Sequence, residues 1–167
     1  LFARAGLPIA RDAVVRRDGA AAAALDDILM RLGPRLVVKP ASQGSAVGVR
    51  FARTAAELAA AVKAAFEFDD AVLVEERIEG REITVAILDR RDTEALPVVE
   101  VRTPEGSWYD FEHRYTQGLS EHVIPAPLPP AQYARTQEVA REALRALGCR
   151  DLSRVDFVVP AEGEPVL

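Results

Sequence analysis

The stretch Lys39-Pro40-Ala41-Ser42-Gln43-Gly44-Ser45-Ala46-Val47-Gly48 decides how this chain is read. It lies between the apolar run Leu36-Val37-Val38 and the alternating run Val47-Gly48-Val49-Arg50-Phe51. A buried strand therefore closes on a basic residue, a small-residue loop follows, and a second strand is expected from Val47 onward. Backbone N–H groups in such a loop, with one ammonium beside them, can surround a phosphate. No Gly-Lys-Ser/Thr runs on into a helix, so this is not a Walker A motif. The loop reads as a flap between two strands.

Around the flap, helical and strand periodicities alternate. Asp18-Gly19 precedes an alanine-rich run over 20–32 whose Leu25, Ile28, Leu29 and Leu32 share one face, with Gly33 as its stop. Thr54-Ala55-Ala56-Glu57 is a capping box, and Leu58, Val62 and Phe66 behind it are spaced for one buried stripe. Val14-Val15, Leu36-Val37-Val38-Lys39 and Val72-Leu73-Val74-Glu75 read as further strands. Residues 1–79 are assigned to one small α/β lobe on these grounds.

From Gly80 the texture becomes richer in strands. Ile83-Thr84-Val85-Ala86-Ile87-Leu88 and the run 96–101 are joined by a charged turn over 89–93, as in an antiparallel pair. A long helix is expected after Pro129-Pro130, with Tyr133, Thr136, Ala140, Ala143, Leu144 and Leu147 along one side, and a closing hairpin over 155–167. Residues 80–167 form the second lobe in this reading, and the fold class is α/β (α+β) with two small lobes. Residues 102–128 follow neither period yet contain Trp108, Tyr109, Phe111, His113, Arg114, Tyr115 and His122. A connection this long is usually a functional lid or a solvated linker, and its aromatic residues favour an ordered active-site loop.

Composition narrows the function. With 49% hydrophobic and 28% charged residues the 167-residue chain is ordinary globular protein, and it can bury roughly 70% of its unfolded surface. Its 21 Lys+Arg against 26 Asp+Glu give a net charge of -5, which disfavours nucleic acid as a partner. No uncharged apolar run approaches the roughly 20 residues that span a bilayer, so no membrane partner is expected. The single Cys149 excludes an internal disulfide and reads as a small packed thiol. The chain begins at Leu1 without Met and stops at Leu167 inside a strand-like run, so it is read as a piece of a longer protein.

Two constellations could carry chemistry. In Glu75-Glu76-Arg77-Ile78-Glu79-Gly80-Arg81-Glu82 the first carboxylate ends an apolar strand, where it needs either a ligand donor or a nearby cation. Ile78 offers a backbone N–H beside an apolar side chain, and Glu82 could accept from ribose hydroxyls; the alternative is a solvated acidic turn. In Ser153-Arg154-Val155-Asp156-Phe157 the strand period puts Arg154 and Asp156 on one face. They suit a salt bridge, or else Asp156 is a Mg²⁺ ligand and Arg154 steadies an anionic transition state. His113 and His122 lack the spacing of a zinc site and are given no catalytic role.

Together these stretches resemble the ATP-grasp family and, within it, the D-alanine–D-alanine ligases. The matching pieces occur in the family's order. They are the flap, Glu75 to Leu88, Tyr109-Asp110-Phe111-Glu112-His113-Arg114-Tyr115, Pro125-Ala126-Pro127-Leu128, and Leu147-Gly148-Cys149 running to Arg154-Val155-Asp156. Each alone is weak; five in order are specific. The resemblance implies an ATP-grasp fold with ATP lying between the lobes. Lys39 would hold its phosphates, with Gly44, Ser45, Ala46 and Val47 closing over them. Glu75 and the backbone of Glu76 and Ile78 would read adenine, and Glu82 the ribose. Asp156 would bind Mg²⁺ or Mn²⁺. Arg154 would stabilise the tetrahedral intermediate, Arg114 would contact phosphate, and Tyr115 would reach Ser45 to shut the lid. The implied reaction joins two D-alanines through an acyl phosphate, for peptidoglycan precursors in the cytoplasm, and a homodimeric parent is compatible with it.

Three positions depart from the family pattern. Arg114 stands where lysine is usual, Ala46 where a second serine is frequent, and Glu76 where lysine is frequent. The family's N-terminal domain and its Glu-x-Asn metal ligands would lie outside residues 1–167. Two alternatives therefore stand beside the leading one: another ATP-grasp carboxylate–amine ligase, and a nucleotide-binding fragment that is non-catalytic by itself.

Overall fold

Apolar residues two apart on four short strands build the first sheet. β1 (Asp12–Arg16), β2 (Leu36–Pro40), β3 (Arg50–Ala52) and β4 (Ala71–Glu76) lie in the order β1-β4-β2-β3, with every pairing antiparallel. One face carries Val15, Leu36, Val38, Ala52, Val72 and Val74, and on it pack Leu25, Ile28 and Leu32 of α1 (Ala22–Leu32) and Leu58, Val62 and Phe66 near α2 (Ala55–Ala65). The computed structural model describes residues 1–19 and 22–167, so the expected helix start at Ala20 lies outside the described residues. Gly33, at φ +91°, ends α1 with its N–H on the Leu29 carbonyl. At the start of α2 the Thr54 hydroxyl accepts from the Glu57 N–H at 3.2 Å, and the Glu57 carboxylate accepts from the Arg53 N–H at 2.7 Å. The reciprocal cap therefore closes one residue earlier than the ideal box.

The strand expected from Val47 begins only at Arg50. Ser45, Ala46 and Gly48 adopt φ of +52°, +61° and +71°, which no strand accommodates, and the turn keeps the chain out of the sheet until then. The alternation of Val47, Val49 and Phe51 was a true period-2 pattern interrupted by left-handed backbone.

The second sheet is organised on β5 (Arg81–Asp89), which pairs antiparallel with β9 (Asp151–Val159) over its whole length. Its other edge is shared by β6 (Thr93–Ala95) and β7 (Val99–Arg102), and β8 (Glu121–Val123) adds to β7. The expected return strand is thus broken at Leu96, Pro97 and Val98. Behind it, α4 (Pro130–Leu147) contributes Thr136, Val139, Ala140, Ala143 and Leu144 to a core with Ile83, Val85, Ile87, Phe157 and Val159. Leu147, placed on the buried side by periodicity, is 49% exposed, because the helix ends there at Gly148 (φ +67°). Gly80 is required by a close approach: a Cβ there would stand 2.6 Å from the Val159 carbonyl carbon and 2.8 Å from the Pro160 nitrogen.

The chain divides into two compact units, Ala10–Arg77, and Leu1–Ile9 with Ile78–Leu167. The first nine residues, grouped by sequence with the residues after them, pack instead with the later unit. Leu7 is buried among its core residues, and the Leu167 N–H donates to the Pro8 carbonyl at 3.0 Å. Among the described residues no helix is long and apolar enough to cross a membrane.

Candidate functional site

In the unit Ala10–Arg77, β-strand alternation puts Lys39 and Glu75 on the sheet face opposite the helices. Val37 and Glu75 are register partners, so Lys39 stands diagonally beside Glu75, and the two side chains form an ion pair. Of the two ways to satisfy the Glu75 carboxylate, the structure supplies the nearby cation. Glu76 is engaged separately. Its carboxylate accepts from the Arg11 N–H at 2.9 Å and from Arg11 Nε at 2.8 Å, while Arg11 also reaches the Arg31 and Leu32 carbonyls at the end of α1. Hydrogen bonds from Arg11 hold the Glu76 carboxyl below its ordinary range, against a smaller opposing effect of burial. The Glu76 N–H donates to the Arg11 carbonyl at 3.0 Å.

The flap between β2 and β3 is a compact turn. The Val47 N–H donates to the Gly44 carbonyl at 3.0 Å and the Val49 N–H to the Ala46 carbonyl at 3.3 Å. Left-handed backbone at two consecutive non-glycine residues, Ser45 and Ala46, costs about 1 kcal/mol each. Strain of this kind concentrates where a loop must present its backbone to a ligand.

In the other unit, the sheet face away from α4 carries the second group. Thr84 and Asp156 are register partners on β5 and β9, and Arg154 is two residues before Asp156. Arg154 Nε and Nη2 donate to the two Asp156 oxygens, both at 2.9 Å, and the Thr84 hydroxyl donates to Asp156 Oδ1 at 2.7 Å. The salt bridge foreseen for this pair is present. Its side chains are 62% and 55% exposed, a setting in which an ion pair contributes only about 0–1 kcal/mol, so stability does not account for it. Hydrogen bonding and charge from Asp156 raise the Arg154 pKa further above its ordinary value, and Tyr109 and Tyr115 act in the same direction.

Those tyrosines belong to the segment 102–128, which the sequence left without elements. It contains α3 (Phe111–Tyr115), capped by Asp110, and β8. Asp110 Oδ1 accepts from the His113 N–H at 2.9 Å and meets His113 Nδ1 at 2.6 Å. The missed signal was local: an Asp whose side chain can close on the N–H three residues ahead. Phe111 and Tyr115 rings lie 4.7 Å apart, and the Arg114 guanidinium sits 4.2 Å over the Tyr109 ring. Arg114 Nε is buried with no hydrogen-bond partner among the described residues. A native protein seldom leaves such a donor unmet, and an anion is the ligand it suits.

Each unit therefore gathers part of the expected set. Lys39, Glu75, Glu76 and the flap residues Gly44, Ser45, Ala46 and Val47 are in one; Ile78, Glu82, Arg114, Tyr115, Arg154 and Asp156 are in the other. Sequence reading missed Thr84 and Arg11, whose roles depend on strand register and on a bond between residues far apart in the chain. No group of three or more His, Cys, Asp or Glu suited to a metal occurs among the described residues. Asp156 fits one ligand of a hard cation that takes its other oxygens from phosphate and water, and does not by itself make a protein cage.

The family described as D-ala D-ala ligase C-terminus matches residues 1–167. The D-alanine–D-alanine ligase of Geobacter sulfurreducens is 43% identical over 164 residues, covering 98% of this chain and 49% of that protein. That of Halalkalibacterium halodurans is 45% identical over 134 residues, 79% of this chain and 44% of its own length. Among solved structures, the VanG D-Ala:D-Ser ligase of Enterococcus faecalis superimposes with a TM-score of 0.84 at 33% identity, over 99% of this chain and 48% of that one. The D-alanine–D-alanine ligase of Bacillus anthracis complexed with ATP gives 0.79 at 26% identity, over 99% and 49%. The chain spans about half the length of the curated relatives it matches.

Proposed function

This chain belongs to the D-ala D-ala ligase C-terminus family, and we propose that it is the nucleotide-handling part of an ATP-dependent ligase that joins two D-alanines into D-alanyl-D-alanine, a peptidoglycan precursor made in the cytoplasm. The observation that carries this reading is the cluster of Arg154, Asp156 and Thr84 with Tyr109, Tyr115 and the unpartnered Arg114 Nε. It combines one carboxylate with two guanidiniums, the complement of a metal-bound phosphate and of an oxyanion.

In this reading the carboxylate of the first D-alanine attacks the terminal phosphorus of ATP, releasing ADP and forming an acyl phosphate. The amine of the second D-alanine then attacks the acyl carbon, and inorganic phosphate leaves. Lys39 turns from Glu75 to the phosphates, freeing that carboxylate for the exocyclic amine of adenine. The Glu76 carbonyl and the Ile78 N–H complete the adenine edge, and Glu82 accepts from ribose. Gly44, Ser45, Ala46 and Val47 enclose phosphate oxygens and keep water away from the acyl phosphate. Arg114 holds a phosphate oxygen through Nε, Arg154 balances the charge of the tetrahedral intermediate, and Tyr115 and Ser45 close the lid. Mg²⁺ or Mn²⁺ on Asp156 would neutralise phosphate charge when bound.

ADP release by the full-length protein, followed with ATP and D-alanine, tests the reading. Turnover dependent on D-alanine is expected, and its absence overturns the assignment. The likeness to a D-Ala:D-Ser ligase favours a second acceptor for trial, D-serine, so product analysis with both acceptors present decides which amine is taken. The 167 residues alone are expected to bind nucleotide without ligating.

A further inference from the structure

Behind the flap stands a turn that the reaction above does not use. Residues 66–70 join α2 to β4, and Arg17, just past β1, fixes them. Its Nε donates to Asp70 Oδ1 at 2.8 Å, its Nη2 reaches the Phe66 carbonyl, and its own N–H donates to the Asp70 carbonyl at 3.2 Å. From this fixed turn Asp69 faces the flap. Asp69 Oδ2 accepts from both the N–H and the hydroxyl of Ser42, at 2.7 and 2.5 Å, while Oδ1 accepts from the Ala71 N–H at 3.1 Å. Gln43 Nε2 donates to the Phe68 carbonyl at 3.4 Å. On the far side of the flap, Gly48 lies against the same turn, where a Cβ would stand 2.9 Å from Phe68 Cδ2.

Both ends of the flap thus meet one short turn, through Ser42 and Gln43 on one side and Gly48 on the other. Gly44, Ser45, Ala46 and Val47, the residues assigned to phosphate, are the four between them. We propose that Asp69 is a positioning residue for nucleotide binding: by taking both donors of Ser42 it fixes where the flap leaves β2, and so where its tip meets the phosphates. This rests on the phosphate role given to the tip. An Asp69 that served only its own turn would need the Ala71 N–H and nothing from Ser42. The hydrogen bond from the Ser42 hydroxyl is the largest of several that lower the Asp69 pKa, so the carboxylate is ionised and accepting at neutral pH.

The test uses this chain with Asp69→Ala, Asp69→Asn, Ser42→Ala and the double variant Ser42→Ala/Asp69→Ala. Amide hydrogen exchange over 41–49 reads the pinning, and calorimetry with ATP and with adenosine as separate probes reads the positioning. In Asp69→Ala, exchange over 41–49 rises by roughly tenfold, the scale of losing charge-assisted hydrogen bonds, while amides of β2 and β4 keep their protection. ATP binding weakens by a similar factor and adenosine binding does not. Asp69→Asn, which keeps an oxygen for Ser42, lies between wild type and Asp69→Ala. Ser42→Ala gives a smaller rise, and the double variant adds little beyond Asp69→Ala, because the two residues share one contact.

Unchanged exchange over 41–49 in Asp69→Ala overturns the proposal, as does equal weakening of ATP and adenosine. If Asp69→Ala loses protection throughout the unit, Ser42→Ala decides: a rise confined to the flap supports the pin, and none overturns it. Wild-type protein that binds no ATP defeats the nucleotide reading and the positioning role together. A flap-confined exchange response in that case retains only the pin, which separates the failure of the functional reading from the failure of the contact.

Discussion

The flap 41–49 and the segment 103–126 both interrupt regular structure, yet they are ordered by opposite means. The flap is made of small residues and offers its candidate chemistry on the main chain. With almost no side chain to bury, it takes its shape from left-handed backbone and from the external turn that holds Ser42, Gln43 and Gly48. The segment offers side chains and orders itself. Asp110 caps α3, the Phe111 and Tyr115 rings meet at a tilt, Arg114 covers Tyr109, and β8 joins the sheet edge. These contacts order it without deep burial, since Phe111 and Tyr115 remain 53% and 66% exposed. A loop that works through its backbone therefore depends on a support elsewhere in the chain, whereas one that works through side chains can carry its own.

If the segment is self-supporting, its weakest point is its base. Glu100, 6% exposed, meets Arg102 Nε and Nη2 at 3.0 and 2.8 Å and Arg81 Nε at 3.4 Å, and Arg81 Nη1 donates to the Pro127 carbonyl at 2.6 Å. The start and end of the segment are tied to one buried carboxylate. Removing one partner of a wholly buried pair costs about 3–5 kcal/mol, and because both arginines are nearly half exposed and can rehydrate, about 2–3 kcal/mol is expected for Glu100→Ala. The denaturant midpoint measures it, with exchange rising over 103–126. A rise confined to the flap instead would break the comparison.

Glycines sharpen it next. Gly48 has φ +71° and almost no room, since a Cβ would lie 2.7 Å from Pro40 Cγ and 2.9 Å from Phe68 Cδ2. Gly118, in the segment, has φ +87° and nothing within 4 Å. Backbone strain of about 1 kcal/mol applies to both on substitution by alanine, and only Gly48→Ala adds a clash, for about 2 kcal/mol in all. Thermal unfolding of the two variants should separate them in that order. Equal losses would mean that the turn behind the flap gives way and is not a rigid support.

The same contrast explains what the sequence made legible. Helix α2 declared itself through Thr54, Glu57 and the spacing of Leu58, Val62 and Phe66, all within one helix and its immediate flank. The pairing of Arg154 with Asp156 followed from strand period alone. What escaped were bonds between distant residues, such as Arg11 to Glu76, Asp69 to Ser42, Thr84 to Asp156 and Arg81 to Glu100, which exist only once register and topology are set. The flap's backbone escaped for another reason. Ser45 and Ala46 are not glycine, and their residue types carry no mark of left-handed φ. Residues 102–128 hid a five-residue helix too short to show a period, although Asp110 marked its start.

Asp110 gives a smaller and cleaner effect. The His113 N–H, and then the His113 ring, hold its carboxyl below the ordinary value of 3.8. A carboxyl with a lowered folded-state pKa contributes stability that is complete above its unfolded value and fades as the pH falls through the lower folded one. The acid transition that Asp110 imposes on the His113 amide shift should therefore fall below about pH 4. In Asp110→Asn the cap acceptor remains without a charge, so the acid transition should vanish while α3 persists. A surviving transition in that variant would assign the acid sensitivity to another group and remove Asp110 as the segment's internal support.

The least stability and the most activity are expected to meet at Asp156. Its pair with Arg154 is more than half exposed on both sides, so Asp156→Asn should change the unfolding free energy by less than about 1 kcal/mol. If Asp156 is a cation ligand in the full-length protein, the same change should raise the magnesium concentration needed for half-maximal ADP release and slow phosphoryl transfer. If it serves only as the salt-bridge partner of Arg154 and neither residue meets substrate, exchanging the two residues, Arg154→Asp with Asp156→Arg, should keep the pair and recover activity. Thr84 refines the choice. Its hydroxyl donates to the same oxygen that Arg154 Nε holds, so Thr84→Val loosens the carboxylate without touching its charge. A metal ligand should tolerate that change with a modest rise in magnesium requirement, and an orienting carboxylate should show a fall in kcat at unchanged magnesium dependence. Recovery of activity in the exchanged pair would remove Asp156 from the metal site whatever Thr84→Val does.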